Sequence, residues 1–327
     1  MFGYPLVFCR ATSVTLALTI DSTVMHLLRL NDDCLLRIFN LMHPTAREST
    51  FTGVCACRNL TKLFRDPLQK LRSAHAELMK LLDKMGTTLV AVETADRLEW
   101  NSYGCSPNID ATDCSVLANS MQSKFLPKLR SVNLGHNVAI GNIGVIEIVR
   151  CAMAAKNFNS LNLHRCGVGS PGACGITIAA FGGYLSAMTT LILDRNHICN
   201  AGAVELAAAC GHMPKLQKLF LNHNVLGDDA AKAIAVAVMQ GDMSEIKQLR
   251  LDHNQICDAG AQALCDMLNA TGSLPNLDVF TLHDNIISLG MYENLYDAGR
   301  MNAGVWDDYP WNDNYLDYAI DGVYRDF

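Results

Sequence analysis

A period of about thirty residues constrains this chain more than any other feature. Six segments share one frame. Leu129, Val132, Leu134 and Asn137 open the series, and Phe158, Leu161, Leu163 and Cys166 repeat it. Met188, Leu191, Leu193 and Asn196 follow, then Leu216, Leu219, Leu221 and Asn224. Ile246, Leu249, Leu251 and Asn254 come next, and Leu277, Phe280, Leu282 and Asn285 close it. The Asn or Cys positions are 29, 30, 28, 30 and 31 residues apart. Within each frame the last two apolar residues alternate with a polar or variable one, the mark of a short strand with one face buried.

Four residues past the second to fifth Asn/Cys positions stand Ser170, Asn200, Asp228 and Asp258. All are favoured helix N-caps, expected to bond the first amides of their own helices, and Pro171 suits a first helical position. Small pairs follow at Gly172-Ala173, Gly202-Ala203, Ala230-Ala231 and Gly260-Ala261, allowing close approach of a neighbouring unit. Apolar residues then recur at helical spacing, as in Ala231, Ile234, Ala235 and Val238. Each unit is thus strand, loop and helix, and one unit cannot hide its apolar face alone. Stacking several hides it, which predicts an α/β solenoid with parallel strands on one side and helices on the other.

The frame resembles the leucine-rich repeat, in particular its long ribonuclease-inhibitor-like class. That resemblance implies a horseshoe with parallel strands on the concave face and helices outside. It also implies a structural ladder of Asn137, Cys166, Asn196, Asn224, Asn254 and Asn285 bonding backbone in the turns. Six repeats are expected over residues 129–290. A degenerate capping repeat is expected at 98–128, from Leu98 and Trp100 through a helix at Ile109 to Met121, and a helical linker at 69–97. Two departures stand out: the first repeat carries one extra residue before Gly144, and the sixth has Leu289 where a cap belongs.

Ahead of the repeats, Leu35, Ile38, Phe39 and Met42 fall on one face of a short helix that His43-Pro44 stops. A second helix is expected around Phe51, Val54, Cys57, Leu60 and Leu63. A region of about 40 residues is too small for a robust core of its own, so residues 29–68 are expected to complete themselves against a partner or a neighbour. The stretch resembles an F-box. Leu30, Asp33, Leu35, Ile38, Phe39 and Met42 match its first half; Cys57, Arg58, Leu60, Leu63, Asp66 and Pro67 fall in step with its second. Asn31 and Leu60 stand where the family has Pro and Trp. The resemblance implies a small all-helical module whose Leu30, Asp33, Leu35, Ile38, Phe39, Met42 and Leu60 contact a Skp-type adaptor. Proteins with an F-box ahead of leucine-rich repeats resemble substrate receptors of cullin–RING ubiquitin ligases.

Charge narrows the partners. The 327 residues carry 26 basic and 32 acidic side chains, a net charge of −6. No basic surplus exists to neutralise a nucleic-acid backbone, and no uninterrupted apolar run of about 18 residues suggests a membrane span. Residues 291–327 hold eight acidic against two basic residues and nine aromatics. This acidic, aromatic tail is expected to cover the last repeat's open edge or to bind a basic partner. Residues 1–28 form an extension whose apolar stretch Arg10 interrupts, a poor match to a secretory signal. The odd count of 13 cysteines fits reduced thiols in a cytoplasmic or nuclear setting better than a disulfide scaffold.

Catalytic motifs are absent from the sequence: there is no nucleophile elbow, no P-loop and no metalloprotease helix motif. Gly167, Gly169 and Gly172 mimic a dinucleotide fingerprint, but Pro171 marks them as a helix start. The frame sets His223 and His253 on adjacent strand ends, about 4.8 Å apart, with Asp252 beside them. Zinc needs three or four converging ligands, so the expectation is a polar column and no metal or cofactor. The concave face is the expected binding surface. Its columns contain Asn133, Asn162, Ile192, Phe220 and Arg250, with Lys218 and Gln248 one position earlier. Aromatics and Arg are enriched in protein interfaces. The expected function is that of a non-enzymatic adaptor, a monomer within a complex, recruiting a target protein to an SCF-type ubiquitin ligase. The alternative is a repeat scaffold or regulator with no ligase linkage.

Overall fold

A computed structural model describes residues 69–297 apart from 71–72, 103–107, 123–125, 127, 156 and 271–273. The chain divides into Met1–Glu77 and Leu78–Phe327. In the first unit the described residues, 69–70 and 73–77, are helical. The extension at 1–28, the F-box-like segment at 29–68 and the part of the tail past residue 297 lie outside the described residues.

In the second unit residues 78–84 are helical, and strands then alternate with helices. The order is α1 (Leu89–Thr94), β1 (Arg97–Glu99), α2 (Ala111–Gln122), β2 (Ser131–Asn133), α3 (Gly141–Ala154), β3 (Ser160–Asn162) and α4 (Ser170–Phe181). It continues with β4 (Thr190–Ile192), α5 (Asn200–Ala209), β5 (Lys218–Phe220), α6 (Asp228–Met239), β6 (Gln248–Arg250), α7 (Asp258–Asn269), β7 (Val279–Thr281) and α8 (Leu289–Asp297). The seven strands form one parallel sheet in chain order. Equivalent frame positions pair: Val132 meets Leu161, then Leu191, Leu219, Leu249 and Phe280.

That register gathers the apolar frame residues into one continuous interior. Leu134, Leu163, Leu193, Leu221, Leu251 and Leu282 are all buried, as are Ile176, Leu206, Ile234 and Leu264 on the facing helices. Each such side chain contributes about 1.5–3 kcal/mol when removed from water, and none has this shelter without the units on either side.

The helix starts differ from the expectation. Ser170, Asn200, Asp228 and Asp258 do not cap their own helices; each is the first helical residue, and Gly169, Cys199, Gly227 and Cys257 occupy the cap position without a side-chain bond. The four side chains reach the next repeat instead. Ser170 Oγ accepts from the Cys199 and Gly202 amides at 3.3 and 3.2 Å. Asn200 Oδ1 accepts from Gly227 and Ala230 at 2.6 and 3.3 Å, and Asp228 Oδ1 from Cys257 and Gly260 at 2.7 and 3.0 Å. Asp258 Oδ1 accepts from Ser288 at 2.7 Å. The small residues make room for this. A Cβ on Gly202 would sit 2.8 Å from Ser170 Oγ, and one on Gly260 2.7 Å from Asp228 Oδ1. The helix of the capping repeat, α2, has its own device: Asp110 Oδ1 accepts from the Thr112 and Asp113 amides, while Asp113 Oδ2 accepts from Asp110 N, a reciprocal capping box.

The sixth repeat keeps its helix. Ser288, one residue before Leu289, accepts at its carbonyl from Met291 and Tyr292, and α8 runs to Asp297, past the expected boundary at 290. Met291 and Leu295 are buried. Among the described residues no helix is long and apolar enough to cross a membrane.

Candidate functional site

At the strand exits the chain turns under itself, and the side chain two residues past each frame leucine's successor holds the turn. Asn196 Nδ2 donates to the carbonyls of Leu163, Leu193 and Asp194 at 2.8, 2.9 and 3.1 Å. Its Oδ1 accepts from the Cys166 and Val168 amides. One side chain thereby stitches its own repeat to the preceding one. Asn137, Asn224, Asn254 and Asn285 repeat the pattern; Asn254, for example, donates to Leu221 O and Leu251 O at 3.0 Å. Cys166 Sγ donates to Leu134 O at 3.1 Å, and burial pushes its thiol up to about 12. A thiol offers no amide-like oxygen to accept from the repeat before it. There the extra residue of the first repeat forms a tight turn, Val138–Ile140, which satisfies Ile140 N with Asn137 O.

The two outward columns of the sheet carry the expected interaction residues. One column runs Glu99, Asn133, Asn162, Ile192, Phe220, Arg250 and Thr281; the other runs Arg97, Ser131, Ser160, Thr190, Lys218, Gln248 and Val279. Ile192 and Phe220 are 0 % and 1 % exposed. Asn133 and Asn162 are buried too, and their Oδ1 atoms accept from the amides of Gly135 and His164. Asn133 also donates to Glu99 Oε2 at 2.7 Å, while burial raises the Glu99 carboxyl above its ordinary value. Lys218, Gln248 and Arg250 are half-buried. The Arg250 guanidinium carbon lies 4.5 Å from the Phe220 ring centroid, a cation–π contact that covers the aromatic and fixes the cation.

Where the strands begin, a cavity of about 210 Å³ opens between repeats, lined by Arg97, Arg130, Lys218 and Asp96 with Ser131, Ser160 and Thr190 among its walls. Sequence reasoning placed Lys218 on this face but not Arg97 or Arg130, because one lies in the degenerate first unit and the other just outside a strand. The F-box-like residues Leu30, Asp33, Leu35, Ile38, Phe39, Met42 and Leu60 lie outside the described residues.

Beyond the strand ends a column of left-handed residues runs through His136, Arg165, Arg195, His223, His253 and Asp284, with φ between 51° and 65°. The His223 and His253 rings stack with centroids 3.9 Å apart and planes 10° off parallel. His283 meets His253 edge-on at 5.3 Å. Carboxylates interleave: His253 Nε2 is 3.2 Å from Asp284 Oδ2, and His283 Nε2 is 3.8 Å from Asp252 Oδ2. Asp252 also accepts from the Thr281 hydroxyl. One strand back, His164 Nδ1 and Asp194 Oδ2 are 2.6 Å apart in a buried pair. Desolvation lowers the His223 imidazole to about 3 and also lowers that of His253. The sequence placed His283 and Asp284 in the same two columns but paired only His223 and His253, with Asp252. Their signal was present: the fifth repeat reads Asp252-His253 and the sixth reverses it to His283-Asp284.

The leucine-rich repeat family model matches residues 125–149, 212–235 and 246–265. Leucine-rich repeats are therefore present, and a parallel seven-stranded sheet with alternating helices is the solenoid they build. No curated protein matches the chain. Among solved structures, a crystal structure of a Rad7–Elc1 complex from yeast is similar at 12% identity, covering 74% of this chain and 95% of that one. Its TM-score is 0.24, too low to bear on fold or function.

Proposed function

We propose that this chain is a non-enzymatic adaptor. It holds a target protein on the strand face of its repeats, and residues 29–68 dock on a Skp-type adaptor within an SCF-type cullin–RING ubiquitin ligase. The observation that carries the first part is the strand face itself. Its side chains project from a sheet locked by packing on one side, and Arg250 is held on Phe220. Lys218 stands in the adjoining column, at the opposite end of the cavity from Arg97 and Arg130. A cation held as Arg250 is loses little further entropy on binding, and the basic side chains around it favour recognition of acidic groups on a protein surface. The second part is supported by the apolar pattern Leu35, Ile38, Phe39 and Met42 and by its place ahead of the repeats.

Two measurements separate the parts. Co-purification of the full chain with a Skp adaptor tests the ligase linkage. Wild type is expected to bind, with Ile38→Asp and Phe39→Asp abolishing recovery; wild type that fails to bind removes the linkage and leaves a repeat scaffold. Crosslinking mass spectrometry tests the face. Replacing Lys218 and Arg250 together by Glu is expected to lower recovery of crosslinked targets about tenfold or more, and unchanged crosslinks would contradict the assignment.

A further inference from the structure

The polar residues at the last three strand ends combine a ligand chemistry with a geometry that no part of the adaptor reading uses. Two overlapping triads, His223–Asp252–His253 and His253–His283–Asp284, each have all their donor atoms within 4.8 Å of one another. From the geometry we propose that His253, His283 and Asp284 form a binding site for a zinc-class divalent ion, with Asp252 as a neighbouring carboxylate.

The distances bring the site near coordination without backbone movement. Donors bound tetrahedrally to zinc at about 2.0–2.1 Å lie about 3.3 Å from one another. His253 Nε2 and Asp284 Oδ2 already stand 3.2 Å apart, and His283 Nε2 is 3.9 Å from the same oxygen. The His253 and His283 donors lie within 4.8 Å of each other, and side-chain rotation is what must bring them to the tetrahedral spacing. Three protein ligands leave a fourth position for water, the arrangement of open zinc sites. All three side chains are partly exposed, so an ion has a path in.

The surroundings favour a cation. Two carboxylates, Asp252 and Asp284, face the imidazoles of His253 and His283, and imidazole with carboxylate is a donor set that zinc accepts. Asp252 Oδ2 lies 3.8 Å from His283 Nε2 and is itself anchored by the Thr281 hydroxyl, so a second fixed negative charge stands beside the site. Position within the column selects the outer triad. Arg195 occupies the column position next to His223, one strand further from His253, and its positive charge disfavours an ion at the His223 end. Imidazole with carboxylate also suits zinc, copper and nickel rather than calcium or magnesium.

The test uses the full chain, stripped with a chelator and titrated with zinc chloride by calorimetry. The 13 cysteines can also take zinc, so the informative quantity is the difference between the chain and its variants. Wild type is expected to bind one more equivalent than His283→Ala or Asp284→Asn, or to bind that equivalent at least about 100-fold more tightly. His253→Asn gives the same loss while keeping a residue that tolerates the left-handed backbone, so misfolding does not mimic the result. Circular dichroism of the metal-free variants checks this directly. His223→Ala should leave the equivalent in place. Cobalt substituted at the site should show tetrahedral visible bands in wild type that Asp284→Asn lacks. Equal zinc uptake by wild type and the three ligand variants overturns the proposal, as does loss in His223→Ala with retention in Asp284→Asn.

Discussion

Among the described residues six non-glycine residues leave their strands through left-handed backbone, a conformation that costs an L-residue about 1–2 kcal/mol. The ladder explains why it persists: only that turn tucks the following Asn or Cys under the sheet. Arg165 isolates the backbone effect, since its side chain is exposed and its φ is 51°. Arg165→Val should lower stability by about 1–2 kcal/mol in chemical denaturation, whereas Arg165→Gly should not; equal midpoints would contradict the turn. Thiol chemistry is set residue by residue as well. Cys199 is exposed, and the Ser170 hydroxyl 3.0 Å away holds its thiol below the ordinary value. Burial pushes Cys166 and Cys210 up to about 12. A lower pKa leaves more thiolate at a given pH. Iodoacetamide should therefore label Cys199 well before those two at neutral pH, and Ser170→Ala should move its rate profile to higher pH. Peptide mass spectrometry showing equal rates would count against this.

Helices in this solenoid are capped sideways. Ser170, Asn200, Asp228 and Asp258 sit at the positions their spacing announced, yet each serves the neighbouring helix. Spacing along a chain says which residue begins a helix. It does not say which amide lies nearest once two units are laid side by side. The small residues at 172, 202 and 260 were legible as sites of close approach, but the atom approaching them was not. Leu289 misled for a related reason: its hydrophobic side chain looked like the end of the array, yet it begins the helix, and Ser288 one step earlier stands at the cap position. Sideways capping makes a directional prediction. Ser170→Ala should cost about 1 kcal/mol, and hydrogen exchange should rise at the start of α5 rather than α4. Faster exchange confined to α4 would show that Ser170 caps its own helix.

Across the whole repeat unit, stability passes between neighbours, because ladder and caps both bridge adjacent repeats and the interior is shared. Six strands and their common register are readable in the frame itself, and Leu98 points to the seventh. Depth was less readable. Alternation puts Ile192 and Phe220 on the outward face, but their burial depends on what neighbouring side chains such as Arg250 do there, and that is not written in a period of two. The cavity with Arg97 and Arg130 escaped for the same reason, since it forms between units and belongs to no single frame. The most direct test of repeat-to-repeat coupling is hydrogen exchange by mass spectrometry on Asn196→Ala. This change strands buried carbonyls and amides in two repeats, each costing about 1–3 kcal/mol when unpaired. Protection should fall across both 158–185 and 188–213, and less across 246–285; a loss confined to 188–213 would contradict the account.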